Sequence, residues 1–508
     1  MARPVSGNLH DLNREYHVEV GSKFRRVSMW GRSWISSLPL RLTSMARGAV
    51  EGPIVRNAAS LYGTTIVTSV LGFLYWFLAA RMVPPSAVGI ASAMQSAAQF
   101  VSLFCVIGLS TLLISELSKN REDARSLILT AATIVGIFAL IASTIVALSF
   151  RAFAPTLRPG VSNVIGITVF VLLSVLTTLL LVLDDTCIGF LRGDLQLRRN
   201  GVFAISKLVL LPVLILIWPD LSGTELEAAW LSGLVVSLIF LARRLGELTS
   251  GQSSRLDFGR LIAKRRLILG HHSLNLSVAA PGLILPVLVA IIIGPRAAAG
   301  YTVAMLLASF VNIIPFHLST VLFAIAPGDE ATLCREVQRT MRICTFIAIA
   351  SAPFFVLFSG VVLAFFGPSY EMASSALTIL GLTTYPVAVK AHYVAISRVR
   401  GRMQSAAVWT IVGASLEIGL AAIGGHFHGL TGVAMGLFAA LLLEAALFSP
   451  VVFGAVRSKG TPRGEMRSTV SCDSGDTKSA GGENALDGSA GGSEPKSGGG
   501  DSGTTGPA

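Results

Sequence analysis

From Arg56 to Arg457 the chain alternates apolar runs of about 20 residues with short polar loops, and nothing else restricts its fold as strongly. A helix of that length crosses the roughly 30 Å hydrocarbon core of a bilayer with every backbone polar group satisfied internally. The pattern therefore predicts an all-α membrane protein of about twelve transmembrane helices. Their expected bounds are 58–81, 87–114, 126–150, 162–187, 201–218, 227–243, 271–293, 298–325, 342–366, 372–396, 404–424 and 430–454. Charge supports this: 13% of residues are charged, about half the usual share of roughly 25% in soluble domains.

The remaining charge is distributed unevenly between the two sets of loops. With the N-terminus inside, the loops 115–125, 188–200, 244–270, 326–341 and 397–403, together with Arg243 and Arg342, hold 19 Lys/Arg. The opposite loops hold four: Arg81, Arg151, Arg158 and Arg296. Basic residues collect on the cytoplasmic side, so both ends are expected in the cytoplasm of a multi-pass protein. The net charge of +12 then faces anionic lipid, and no nucleic-acid partner is expected. The first 56 residues are polar, carry nine Lys/Arg and include no cleavable signal peptide, so the first apolar helix is expected to direct insertion.

The chain also repeats itself. Residues 84–97, PPSAVGIASAMQSA, align without gaps on 295–308, PRAAAGYTVAMLLA, with identities at Pro84/Pro295, Ala87/Ala298, Gly89/Gly300, Ala93/Ala304, Met94/Met305 and Ala97/Ala308. Ala and Gly are abundant enough for chance matches, but each segment follows the first helix of a six-helix half, where a duplication would put it. Six is even, so the halves would be parallel repeats about an axis along the membrane normal. The expected organisation is a basic cytoplasmic arm (1–56), an N-terminal six-helix bundle (57–243), a basic linker (244–270), a C-terminal six-helix bundle (271–456) and a Gly/Ser-rich cytoplasmic tail (457–508) that reads as disordered. Within the arm, Trp30, Trp34 and Leu38 recur at helical spacing beside Arg32, Arg41 and Arg47, which fits either an interfacial helix stopped by Pro39 or a disordered basic arm.

Several chemistries have no residues to carry them. No GxxxxGK[ST] sequence is present, so the chain has no P-loop of its own. The five cysteines lack metal, redox or disulfide spacing. His426 and His428 form an H-x-H pair with no third ligand nearby, and no metal site or cofactor is expected. The external loops do not exceed about a dozen residues, too few to house a glycosyltransferase or polymerase site, so the chain reads as a non-enzyme.

What remains is polar chemistry inside the membrane, where ionisable groups mark sites or pairs. In LLLVLDDTCIGFLRGDLQLRRNGVFAISKLVLL, the midpoint between Asp184 and Lys207 falls in the polar turn. A hairpin about that point brings the two to equal depth, on the order of 10–12 Å from the loop. Asp184 and Asp185 with Lys207 are thus either a structural ion pair or a gating and coupling pair. Lys390, beside His392 and after a kink at Pro386, either snorkels to the interface or faces a cavity. Glu417 and Glu444 are structural acids or part of a cation route. Ser92, Gln95, Ser96, Gln99 and Ser102 fall within an arc of about 120° on one helix, a face that meets either another helix or water, the two glutamines favouring a hydrated cavity. Ser309, Asn312, His317 and Thr320 flank Pro315 in the eighth crossing. Pro281 and Pro286 interrupt the seventh and are expected to act as its hinge.

RNAASLYGTTIVTSVLGFLYWFLAARMVPPSAVGIASAMQSAAQF, the run LDDTCIGFLRGDLQLRRNGVFAISKL, and the prolines and histidine of the seventh and eighth crossings resemble the Wzx-like polysaccharide and oligosaccharide flippases of the multidrug/oligosaccharidyl-lipid/polysaccharide exporter superfamily. The resemblance covers roughly residues 55–455 and rests on pattern, since this superfamily has no short diagnostic motif. It implies two six-helix bundles around a central cavity, in a MATE/flippase-like fold of a bacterial plasma-membrane protein. It also implies translocation of a polyprenyl-diphosphate-linked glycan to the outer leaflet, with membrane lipids and polysaccharide-assembly proteins as further partners. Arg56, Arg81, Lys207 and Lys390 become candidates for contacts to the diphosphate or its path inward. The competing expectations are a cation-coupled small-molecule antiporter of the same superfamily and a non-transporting scaffold for cell-wall enzymes.

Overall fold

In the computed structural model, residues 53–119, 121–218, 221–258, 265–325 and 330–457 are described. The N-terminal arm with its Trp30/Trp34/Leu38 stripe and the Gly/Ser-rich tail lie outside them. Thirteen α-helices account for nearly all of the described chain. They are α1 (Pro53–Met82), α2 (Pro85–Cys105), α3 (Leu109–Lys119), α4 (Ala124–Phe153), α5 (Val164–Gly189), α6 (Gly193–Ile217), α7 (Gly223–Leu248), α8 (Arg265–Ile292), α9 (Pro295–Ile325), α10 (Glu330–Ala364), α11 (Ser374–Leu382), α12 (Thr384–Val399) and α13 (Met403–Arg457). No strand occurs among the described residues.

Local sequence explains several of the boundaries. The Asn163 side chain accepts from the Gly166 N–H at 2.8 Å and caps α5. Ser222 and Glu225 form a capping box at the start of α7, with the Glu225 carboxylate accepting from the Ser222 N–H at 2.8 Å. Pro386 cannot donate to the carbonyl of Leu382, and the chain bends by 44° between α11 and α12 just before it.

Ten of these helices are long and apolar enough to cross a membrane, and the bent α11–α12 pair makes an eleventh. At 1.5 Å per residue, α13 would be about 80 Å long, far more than one bilayer. Its backbone leaves helical geometry at His428 and Gly429, where Gly429 takes a φ of 57°. The two arms then fold back on one another, because Gly436 lies against the Leu420 carbonyl and Gly424 against the Gly432 carbonyl. The expected count of twelve treats these arms as separate crossings.

The molecule is apolar on its outside as well as its inside. Phe138, Ile141, Ile145 and Leu148 on α4, and Phe346, Ile349 and Leu357 on α10, are all exposed. Patches this large do not face water in a soluble monomer; here they form the lipid-facing surface. Inside, α2 is the most enclosed of the spanning helices, packed against α5 and α7 on one side and α8 and α9 on the other. The two copies of the repeat, at the starts of α2 and α9, are therefore in contact. Gly89 faces the Pro295 carbonyl so closely that a Cβ there would overlap it, and the Thr302 hydroxyl donates to Ser92 Oγ at 3.1 Å.

The structure departs from expectation at two places along the backbone. The second crossing is not continuous: it breaks at Ile107 and Gly108, with φ of 45° and 70°. A β-branched residue in the left-handed region is a strained position. Conversely, Pro281 and Pro286 do not interrupt α8, which is a single helix through both. The first part of the segment after α7 is fastened down: Gln252 takes the Arg125 N–H at 3.0 Å and donates to the Arg121 carbonyl at 2.8 Å, while the Asp257 N–H reaches Thr130 Oγ1 at 3.0 Å.

Candidate functional site

The site builds up around α9, which has a cavity on one side and a crevice on the other. The cavity, about 680 Å³, is lined by α8, α9, α11, α12 and α13, with Leu103 of α2 at its border. Its polar wall carries Asn275, Ser309, Asn312, Ser319, Thr320, Lys390, Arg398 and Glu417. The crevice, about 540 Å³, lies between α1 and α9 and is almost wholly apolar. Ile66 and Val70 face Leu306, Phe310, Ile313 and Ile314, with Thr65, Ser69, Ser309 and His317 as the polar exceptions. Ser309 borders both spaces.

Among the charged groups, the structure rearranges the expected partners. Asp184 is buried and paired with Arg199, Nε donating to Oδ1 at 3.0 Å and an Nη completing the fork. Lys207 is not its partner. The ammonium instead sits in an aromatic box, 3.4 Å from the centre of the Trp230 ring, 4.6 Å from Phe203 and 4.9 Å from Tyr75. The reason is the position of the turn. Leu191 takes a φ of 57° and the α5–α6 reversal centres there, so residue 184 meets residue 199 and Lys207 lies about two helical turns deeper. Asp185, half-buried, meets the Ser110 hydroxyl on α3.

Lys390 neither snorkels nor stands free. It is buried between two acids, hydrogen-bonded to Glu417 and 3.0 Å from Glu444. Gly413 makes room for the Glu444 carboxyl, since a Cβ there would overlap it. Next to this cluster, His392 is held by Thr340 at 2.9 Å and by the Ala388 carbonyl at 2.7 Å. Asn312 donates to Thr383 Oγ1 at 3.2 Å, tying α9 to the bend between α11 and α12.

The remaining candidates are dispersed. Arg81 is exposed in the last turn of α1. Arg56 falls in the first turn of α1, where side chains lie outside the described part. Gln95 is buried and Gln99 half-buried, and the serines at the two ends of the α2 stripe bond to neighbouring helices. Ser92 takes its bond from Thr302, and Ser102 donates to the Ser174 carbonyl at 2.9 Å. Small polar residues here join helices, and neither glutamine lines the 680 Å³ cavity. His317 borders the crevice. His426 and His428 are exposed at the α13 break, and no cluster able to hold a metal occurs among the described residues.

Three groups were not identified as site residues from sequence. Arg199 and Arg398 fall in basic loops by sequence, but one is buried at Asp184 and the other lines the cavity. Glu227 falls at the expected start of a crossing, yet it is 2% exposed and neither carboxyl oxygen has a hydrogen-bond partner among the described residues.

A helical membrane protein with paired internal spaces around one inner helix belongs to the architecture of membrane transporters, and solved structures agree. An inward-facing multidrug resistance MATE family transporter of the MOP superfamily superposes with a TM-score of 0.60 at 17% identity, covering 77% of this chain and 96% of that one. A MOP superfamily transporter from Pyrococcus furiosus superposes at 0.56 with 16% identity, covering 80% and 95%. An outward-facing MATE family transporter does so at 0.54 with 17% identity, covering 80% and 97%. At such identities the likeness shows the fold. No curated protein sequence matches. The family model for polysaccharide biosynthesis proteins matches residues 54–327, more than half of the chain, and the protein belongs to that family.

Proposed function

We propose that the protein flips a polyprenyl-diphosphate-linked oligosaccharide from the cytoplasmic to the outer leaflet of a bacterial plasma membrane, with both termini in the cytoplasm. The observation that carries this reading is the pair of spaces either side of α9. A lipid-linked glycan has a polar, anionic head and a long apolar tail. The polar groups on one wall of the larger cavity, which is otherwise apolar, suit the head, and the apolar crevice between α1 and α9 lets the tail remain beside lipid. Moving the head inside protein avoids exposing its charges to hydrocarbon, where burial without partners is prohibitive. The excess of Lys/Arg in alternate loops supports the orientation.

The test is reconstitution into liposomes loaded symmetrically with a short-chain polyprenyl-diphosphate oligosaccharide, with inner-leaflet glycan scored by protection from external periodate. Protected glycan is expected to decay faster than in protein-free vesicles. Equal rates overturn the reading. Cation-coupled export of a small molecule draws on the two acids around Lys390; ethidium efflux from the same vesicles with no glycan movement selects it. A scaffold role predicts that loss of residues 1–50 and 458–508 abolishes function, whereas a flippase keeps its vesicle activity.

A further inference from the structure

The two cations that line the 680 Å³ cavity are in opposite situations. Lys390 is shared between Glu417 and Glu444, so an anion approaching it meets two acids for one ammonium. Arg398, eight residues later and about 12 Å along α12, makes no ion pair among the described residues. Among the described residues its one hydrogen bond runs from an Nη to Asn275 Oδ1 at 2.7 Å, and its buried Nε has no partner there.

That bond also fixes the asparagine. With Oδ1 facing the guanidinium, the Asn275 amide directs its two N–H donors elsewhere. Neighbouring hydroxyls do not compete, because Ser319 and Thr320 both donate to the Phe316 carbonyl. The nearest other arginine in sequence, Arg400, is occupied by Glu330.

We infer that Arg398 and Asn275 form the anion-binding subsite of this cavity, receiving a diphosphate at the α12 C-terminal end while the Lys390–Glu417–Glu444 cluster excludes anions from the deeper part. The inference rests on the flippase reading for the identity of the cargo. A guanidinium with free N–H groups beside an amide donor matches the paired oxygens of a phosphate. The remaining cationic candidates are worse placed: Lys207 is enclosed by aromatic rings and Arg81 is exposed at the far end of α1.

The test measures binding of a short-chain polyprenyl diphosphate, of inorganic pyrophosphate, and of the uncharged polyprenol to the full chain in nanodiscs. Arg398→Gln is expected to weaken diphosphate binding by about tenfold or more, and Arg398→Lys by less, since charge is kept and the fork is lost. Asn275→Asp gives Arg398 an internal carboxylate, so it should weaken diphosphate binding while raising the melting temperature. That opposite movement separates a binding role from a structural one. If the wild-type chain binds polyprenyl diphosphate and all three variants bind it equally, the subsite is wrong and the flippase reading survives. If pyrophosphate binds in an Arg398-dependent manner and the polyprenyl form does not, the subsite stands and the glycolipid reading fails. Binding of neither overturns both.

Discussion

Asp184 and Arg199 show what a single residue's position decides. Both are buried, and such a pair is weak evidence for stability as a whole, yet losing one partner strands the other charge at a cost of about 3–5 kcal/mol. Asp184→Ala should therefore lower the melting temperature in detergent sharply, and Asp184→Leu with Arg199→Met should recover most of the loss. The reversed pair Asp184→Arg with Arg199→Asp should fold better than either single change. The combination Asp184→Lys with Lys207→Asp should not, because Lys207 is surrounded by rings and would bring a carboxylate against Trp230. The presence of buried charge in this hairpin was legible in the sequence; the partner was not. Equal-depth arithmetic needs the centre of the turn, and Leu191, a residue with no turn preference, gave no sign of its left-handed backbone. Lys390 was similarly visible as an intramembrane cation, while its two acids come from the separate arms of α13, which no local spacing connects.

Among elements, the contact between α2 and α9 carries the most information. The repeat at 84–97 and 295–308 was visible as sequence, and the structure puts the two copies against each other through Gly89 and the Pro295 carbonyl. Gly89→Ala should then be strongly destabilising, since the added methyl meets backbone that has nowhere to go. Gly300→Ala, at the equivalent position, should be far milder: its Cβ would meet the Ala373 methyl at 3.1 Å, a contact that small shifts relieve. Thermal melting of the two variants compares them directly, and equal losses would remove the role assigned to the crossing. Periodicity found the polar stripe on α2 and left open what it faces. A helical pattern identifies a face, but serines and glutamines look alike whether they line water or bond to the next helix. The α8 prolines pose a related problem: proline forfeits a hydrogen bond but need not break a membrane helix, because neighbouring groups can satisfy the freed carbonyl, and α8 continues through both.

At the scale of the whole molecule, moving a cargo across the membrane requires the packing between α2 and its neighbours α8 and α9 to be temporary. Ser92 and Thr302 lie on this contact, their oxygens 3.1 Å apart. In a chain whose five native cysteines are replaced, Ser92→Cys with Thr302→Cys puts two thiols where the native hydroxyl oxygens stand 3.1 Å apart, within reach of a disulfide. Oxidation with a membrane-permeant reagent should stop glycan movement in the vesicle assay, and reduction should restore it. Each single cysteine variant should be indifferent to the oxidant. Binding of polyprenyl diphosphate should survive the cross-link, because Arg398 and Asn275 lie on α12 and α8 and neither Ser92 nor Thr302 borders the cavity they line. Loss of movement with retained binding is the signature of a population held in one state. Full transport by the cross-linked protein would mean that α2 and α9 never separate, and the opening would then have to occur along α1 and α9, where the apolar crevice already parts them.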